Sequence, residues 1–209
     1  MKKIMFNEKY GLNEAVIELL KNMTRRMIPQ KTVDFILNDF RREYFEATLD
    51  RLDDKECIEQ YFLVENIKEP PYKVGEIVAI AQAYKDIIAR ISPRFSPHAY
   101  DWMREEKGWT NKMFVRADLM PRHIRITDIK VERLHDISDD DCLNEGILKK
   151  SGFPKKKSFP YYFAGGKHEW DNSFSTPRKA FAALIDRISG KGTWERNPWV
   201  FAYSFELID

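Results

Sequence analysis

The stretch Met120-Pro-Arg-His-Ile-Arg-Ile-Thr-Asp-Ile-Lys-Val-Glu-Arg-Leu-His-Asp-Ile-Ser-Asp-Asp-Asp-Cys-Leu-Asn-Glu-Gly146 holds two elements in succession. Ile124 and Ile126 share a face with Asp128 and Lys130, while Arg125, Thr127, Ile129 and Val131 take the other. The β-branched content predicts a strand with one well-buried end. Ser138 ahead of Asp139, Asp140 and Asp141 then reads as an N-cap with an acidic first turn. Gly146 supplies a left-handed residue to close a short helix. Glu145 is therefore expected at the end of a short helix just after a core strand, which is a rigid place to hold a carboxylate.

Working outward, the residues ahead of this stretch carry Lys112 and Arg116, which join Arg122, His123 and Arg125 in a concentration of positive charge. A basic rim suits phosphate contacts, although scattered surface arginines are the commoner explanation. On the far side, Thr176-Pro177 predicts an N-cap with proline at the first helical position. Phe181, Leu184, Ile185 and Ile188 form the apolar face of that helix, and Gly190 ends it. Trp199, Phe201, Tyr203, Phe205 and Leu207 alternate with smaller or polar residues, which predicts a C-terminal strand closing a barrel.

The amino-terminal half is read in the same way. Leu12, Ala15, Val16, Leu19 and Leu20 recur at helical spacing and run into Lys21-Asn-Met-Thr-Arg-Arg26, whose cations suit a helix C-terminus. From about residue 31 to 69, the stripe Val33, Ile36, Leu37, Phe40, Tyr44 and Leu49 predicts a helical insertion, ended by Pro70-Pro71. Tyr72 to Gln82 reads as a turn at Gly75 and a buried strand. Residues 91–108 read as a loop carrying Phe95, His98, Tyr100 and Trp102. These aromatics are either core anchors or a stacking platform for bases. A second irregular insertion, about 149–175, mixes Lys155, Lys156 and Lys157 with Phe159, Tyr161, Tyr162 and Phe163. That composition fits a nucleic-acid-binding loop or a mobile insertion.

Composition bounds the rest. The 209 residues are 43% hydrophobic and 13% aromatic, enough for a core. A net charge of +2 neither demands nor excludes a polyanion. Cys57 and Cys142 are far apart with no CxxC pair, and the four histidines never fall at metal spacing, so no metal and no cofactor are expected. Gly165-Gly166-Lys167 lacks P-loop spacing, which argues against an NTPase. No secretory signal or transmembrane run is visible, so a soluble, cytoplasmic protein is expected.

The run Ile126–Ile147 resembles the signature of ASCH domains, a PUA-like family, and most closely its larger members carried by phages and prophages. Lys21, Thr24, Arg25 and Arg26 match the family's Gly-Arg-Lys-Thr-x-Thr-Arg-Arg-like motif, with Leu19, Leu20 and Asn22 as departures. Tyr72–Tyr84 is similar to a family strand, with Ala81-Gln82 replacing an Arg-Glu pair and Tyr84 near the aromatic position. The resemblance implies an α+β fold: one domain over 1–209, a PUA-like small β-barrel flanked by helices, with the two insertions above. It also implies a cleft between the first helix and the barrel, lined by Lys21, Thr24 and Glu145. Arg25, Arg26, Gln82, Tyr84 and Arg122 are then expected to contact the ligand. Some small members remove the acetyl group from acetylated cytidine, and the trio Lys21, Thr24 and Glu145 matches theirs. Three functions follow as expectations. The first is binding of RNA or a modified nucleotide, the second amidohydrolysis of an N-acylated cytidine, and the third a phage accessory module for protein contacts.

Overall fold

The computed structural model describes residues 1–42, 52–91, 100–150, 161–164 and 173–209. Tyr44, Leu49, Phe95, His98, the three lysines at 155–157, Phe159 and His168 lie outside them. The chain is α+β. Its main sheet has five strands: β1 (Lys2–Ile4), β2 (Met23–Met27), β3 (Ile77–Ile80), β4 (His123–Arg133) and β8 (Trp199–Leu207), in the order β1-β3-β4-β8-β2. Only β1 and β3 run parallel; the other neighbours are antiparallel.

This sheet stays open, contrary to the expected barrel. Its edges are β1 and β2, and β8 lies between β4 and β2 instead of closing a ring. The central position of β8 explains its burial. Trp199, Phe201, Tyr203 and Phe205 pack on one face, yet Val200 and Ala202 on the other face are also buried. A strand covered on both sides needs small or apolar residues throughout.

The deciding stretch folds as β4 followed by a helix, with one refinement. A register shift between Ile126 and Asp128 switches the inward parity, so that Ile124 and Ile126 are buried before it and Val131 after it. A bulge has this effect because it inserts one residue into a period of two. Each half of β4 therefore sends residues into the core.

Eight short helices are described: α1 (Leu12–Ile17), α2 (Gln30–Phe35), α3 (Asp54–Glu59), α4 (Tyr84–Ile91), α5 (Asp101–Arg104), α6 (Asp139–Asn144), α7 (Pro177–Ser189) and α8 (Thr193–Arg196). Wider turns extend α2 through Ile36–Phe40 and α3 through Gln60–Val64. Val33, Ile36, Phe40, Ile58 and Phe62 from these two helices join the same core as Ile4, Ile124 and Phe201. The region expected to be irregular after residue 149 includes a small sheet of β5 (Leu148–Lys150), β6 (Tyr161–Phe163) and β7 (Ser173–Phe174).

Candidate functional site

The segment Lys21–Arg26 is not the end of a helix. The first helix stops at Ile17, and Leu19 takes a left-handed conformation at φ 59°. Leu19 N–H donates to the Val16 carbonyl and Leu20 N–H to the Ala15 carbonyl, a paired closure that satisfies the last carbonyls of the helix. The chain then enters β2, so Lys21 and Thr24 do not lie one helical turn apart. In β2, Thr24 faces Tyr203 and Arg26 faces Phe201 across the ladder.

Strand parity separates the side chains that follow. Arg25 turns toward α6 and the end of β4. Its Nε donates to Glu132 (2.8 Å), one terminal nitrogen to Glu145 (3.2 Å) and the other to Asp141 (3.0 Å). Lys21 reaches the same place. Its Nζ donates to Glu145 Oε2 (2.6 Å), to the Glu145 carbonyl (2.8 Å) and to the Met23 carbonyl (2.6 Å). Two cations and three carboxylates thus form one knot, buried at Lys21 (2% exposed), Arg25 and Glu145 and half-buried at Glu132 and Asp141. Burial pushes the Lys21 ammonium below the ordinary lysine range, and Glu145 opposes that shift. Three acceptors around one nitrogen occupy all three of its protons and leave no place for a lone pair.

Local sequence holds Glu145 in position. Ser138 caps α6 by accepting from Asp141 N–H, as expected, and Glu145 is the C-cap residue. Gly146 follows at φ +95°, and a Cβ there would lie 3.3 Å from Leu12 and 3.5 Å from the Lys21 chain. Only glycine combines that backbone with that closeness.

A cleft of about 460 Å³ runs beside β2, and Lys21, Thr24, Arg25, Arg26 and Glu145 all line it. Its apolar lining comes from α7 through Phe181, Leu184 and Ile185, together with Leu134, Val200, Phe6 and Leu12. Lys112 also lines it, held by the Phe6 carbonyl and by Glu8 at 3.2 Å.

The groups in the cleft differ in what they have left to offer. Among the described residues the Thr24 hydroxyl has no hydrogen-bond partner. Arg26 donates from one terminal nitrogen to the Met5 carbonyl (2.8 Å), but its Nε is buried without a partner. The backbone adds to these. Phe205 N–H donates to the Asn22 carbonyl and Ile28 N–H to the Trp199 carbonyl, so the even-numbered residues of β2 turn their amides toward β8. Met23, Arg25 and Met27 turn theirs to the open edge. Lys21 takes the Met23 carbonyl, and the Arg25 amide group stays unpaired among the described residues.

Comparison with protein families, curated proteins and solved structures returned no match.

Three expected ligand contacts lie elsewhere. Tyr84 is buried in a second core cluster with Ala81, Ile87 and Met120, and its hydroxyl accepts from Arg116 N–H. Gln82 is buried just before it, its N–H against the Met120 sulfur. Arg122 is exposed, and its carbonyl accepts from Ile80 N–H. None of the three lines the cleft, because β3 is separated from β2 by β4 and β8. Conversely, the partners Glu132 and Asp141 and the wall residue Phe6 were missed. In the sequence the acidic run at 139–141 marks only a helix start, and the placement of Arg25 gives Asp141 a second role.

Among the described residues, no group of three or more His, Cys, Asp or Glu could hold a metal ion. None of their helices is long and apolar enough to cross a membrane.

Proposed function

We propose that the cleft beside β2 binds a single modified nucleoside or nucleotide, free or presented by RNA. The observation that carries this reading is convergence. A motif at 21–26 and a carboxylate at 145 meet in one cleft of about 460 Å³, a volume within the range of small-molecule sites. The apolar wall of Phe181 and Leu184 suits the faces of a flat base. The Thr24 hydroxyl and the open edge of β2 offer both donors and acceptors to its rim. Membership of the ASCH family, with a PUA-like sheet that remains open, belongs to the same proposal and rests on the spaced motifs in the sequence.

The test is calorimetric titration of the full chain with cytidine, N-acylated cytidines and their nucleotides. Thr24→Val, which keeps the shape and removes the hydroxyl, should weaken binding about tenfold, the weight of one buried hydrogen bond. Lack of binding across the panel would end the proposal.

A second reading, hydrolysis of an N-acylated cytidine, is favoured by one observation: the free Thr24 hydroxyl shares the cleft with the Lys21–Glu145 pair. Lys21 would first have to pass a proton to Glu145. Thr24 would then attack the acyl carbon as Lys21 takes the hydroxyl proton and hands it to the departing N4 when the C–N bond breaks. Water would release the acyl group from Thr24. Chromatography of the same mixtures decides it. Free cytidine appearing with the intact protein but not with Thr24→Val supports turnover, and unchanged substrate restricts the cleft to binding.

A further inference from the structure

The cations lining the cleft fall into two groups. Lys21, Arg25 and Lys112 are each neutralised at close range, by Glu145, by Glu132 with Asp141 and Glu145, and by Glu8. Arg26 and Lys9 line the same cleft and have no carboxylate partner among the described residues. Depth differs along the cleft as well. Lys21 and Arg25 are buried, Lys112 and Arg26 half-buried and Lys9 exposed, so neither uncompensated cation is at the buried end.

Arg26 carries a second mark. Its Nε is buried with no acceptor, an arrangement that is destabilising until something accepts from it. The bond from its terminal nitrogen to the Met5 carbonyl holds the guanidinium against the segment that carries Lys9. The apolar wall cannot supply the missing acceptor. An anionic oxygen can, because a guanidinium presents paired donors that match a phosphate and a nearby ammonium adds charge without fixed direction.

Resting on the nucleoside reading above, we infer that Arg26 and Lys9 form an anion subsite in the cleft, away from its buried end. The preferred ligand is then a nucleoside phosphate, not a neutral nucleoside. A free mononucleotide and the phosphorylated end of an RNA chain share this chemistry.

The experiment is calorimetric titration of the full chain with cytidine, cytidine 5′-monophosphate, and one short RNA with either a 5′-phosphate or a 5′-hydroxyl. The monophosphate should bind about tenfold more tightly than cytidine, as one charge-assisted contact warrants, and the advantage should shrink with added salt. In Arg26→Gln the advantage should fall to about threefold or less. Lys9→Gln, at an exposed position, should reduce it by about threefold. A phosphorylated RNA that outbinds the mononucleotide assigns the subsite to an RNA end, and the reverse order assigns it to a free nucleotide. Equal binding of cytidine and its monophosphate overturns the subsite while leaving the nucleoside reading intact. An advantage that survives in both variants also overturns it. Binding of neither overturns both proposals.

Discussion

Arg25 and Arg26 are neighbours in sequence and opposites in structure. Arg25 points toward α6, where Glu132, Asp141 and Glu145 engage its guanidinium. Arg26, one residue on, faces the other way, donates to a single carbonyl and leaves its Nε without a partner. The first is engaged on every side by the scaffold, and the second keeps a donor unpaired. A strand produces this split for free, since successive side chains leave opposite faces. A pair of like charges in a motif therefore need not share a role.

Breaking the knot tests the scaffold half of this contrast and should give the largest effect. Glu145→Leu leaves Lys21 buried without its carboxylate and should destabilise the fold by about 3–5 kcal/mol, measured by urea unfolding. Adding Lys21→Met to that variant removes the stranded charge and should recover most of the loss. A double variant no more stable than Glu145→Leu would mean that the knot acts through something other than charge compensation.

The turn ahead of β2 decides which parity meets the knot. Leu19 holds a left-handed backbone while 72% exposed, so its side chain gains little to offset the strain. Leu19→Gly should therefore raise stability by about 1 kcal/mol and leave ligand affinity unchanged. A loss of affinity would show that the leucine does more than end the helix.

The smallest stability effect is expected on the ligand side. Arg26→Gln should change unfolding free energy by no more than about 0.5 kcal/mol while reducing the expected preference for a phosphate. A loss as large as that from Glu145→Leu would erase the contrast between the two arginines.

Much of this arrangement was legible in the sequence, and the failures have physical causes. The strand β4, the Ser138 cap, the end of α6 at Gly146 and the apolar face of α7 could all be read from local patterns. So could the cluster of Lys21, Thr24, Arg25 and Arg26 as a group of interest. Its conformation could not. Lys-Asn-Met-Thr-Arg-Arg follows a helical pattern without a glycine to mark the break, and leucine is an improbable occupant of the left-handed turn. β2 is a strand because Tyr203 and Phe201 lie across from it, which is information from the far end of the sequence. Motif position alone puts Gln82 and Tyr84 in the cleft. The open sheet puts β3 two strands away from β2, against a different cluster. Motif position carries no information on which strands are neighbours, and in an open sheet β3 does not reach β2.

The central place of β8 has a consequence for how the molecule is made. β2 has no other ladder partner among the described residues, and β4 shares its longest ladder with the same strand. During synthesis, residues 23–27 leave the ribosome long before residues 199–207 exist. Until then the cleft lacks a wall, and β2 offers two bare edges to any passing strand. Pairings so distant in sequence favour slow folding and delay completion of the sheet until translation reaches β8.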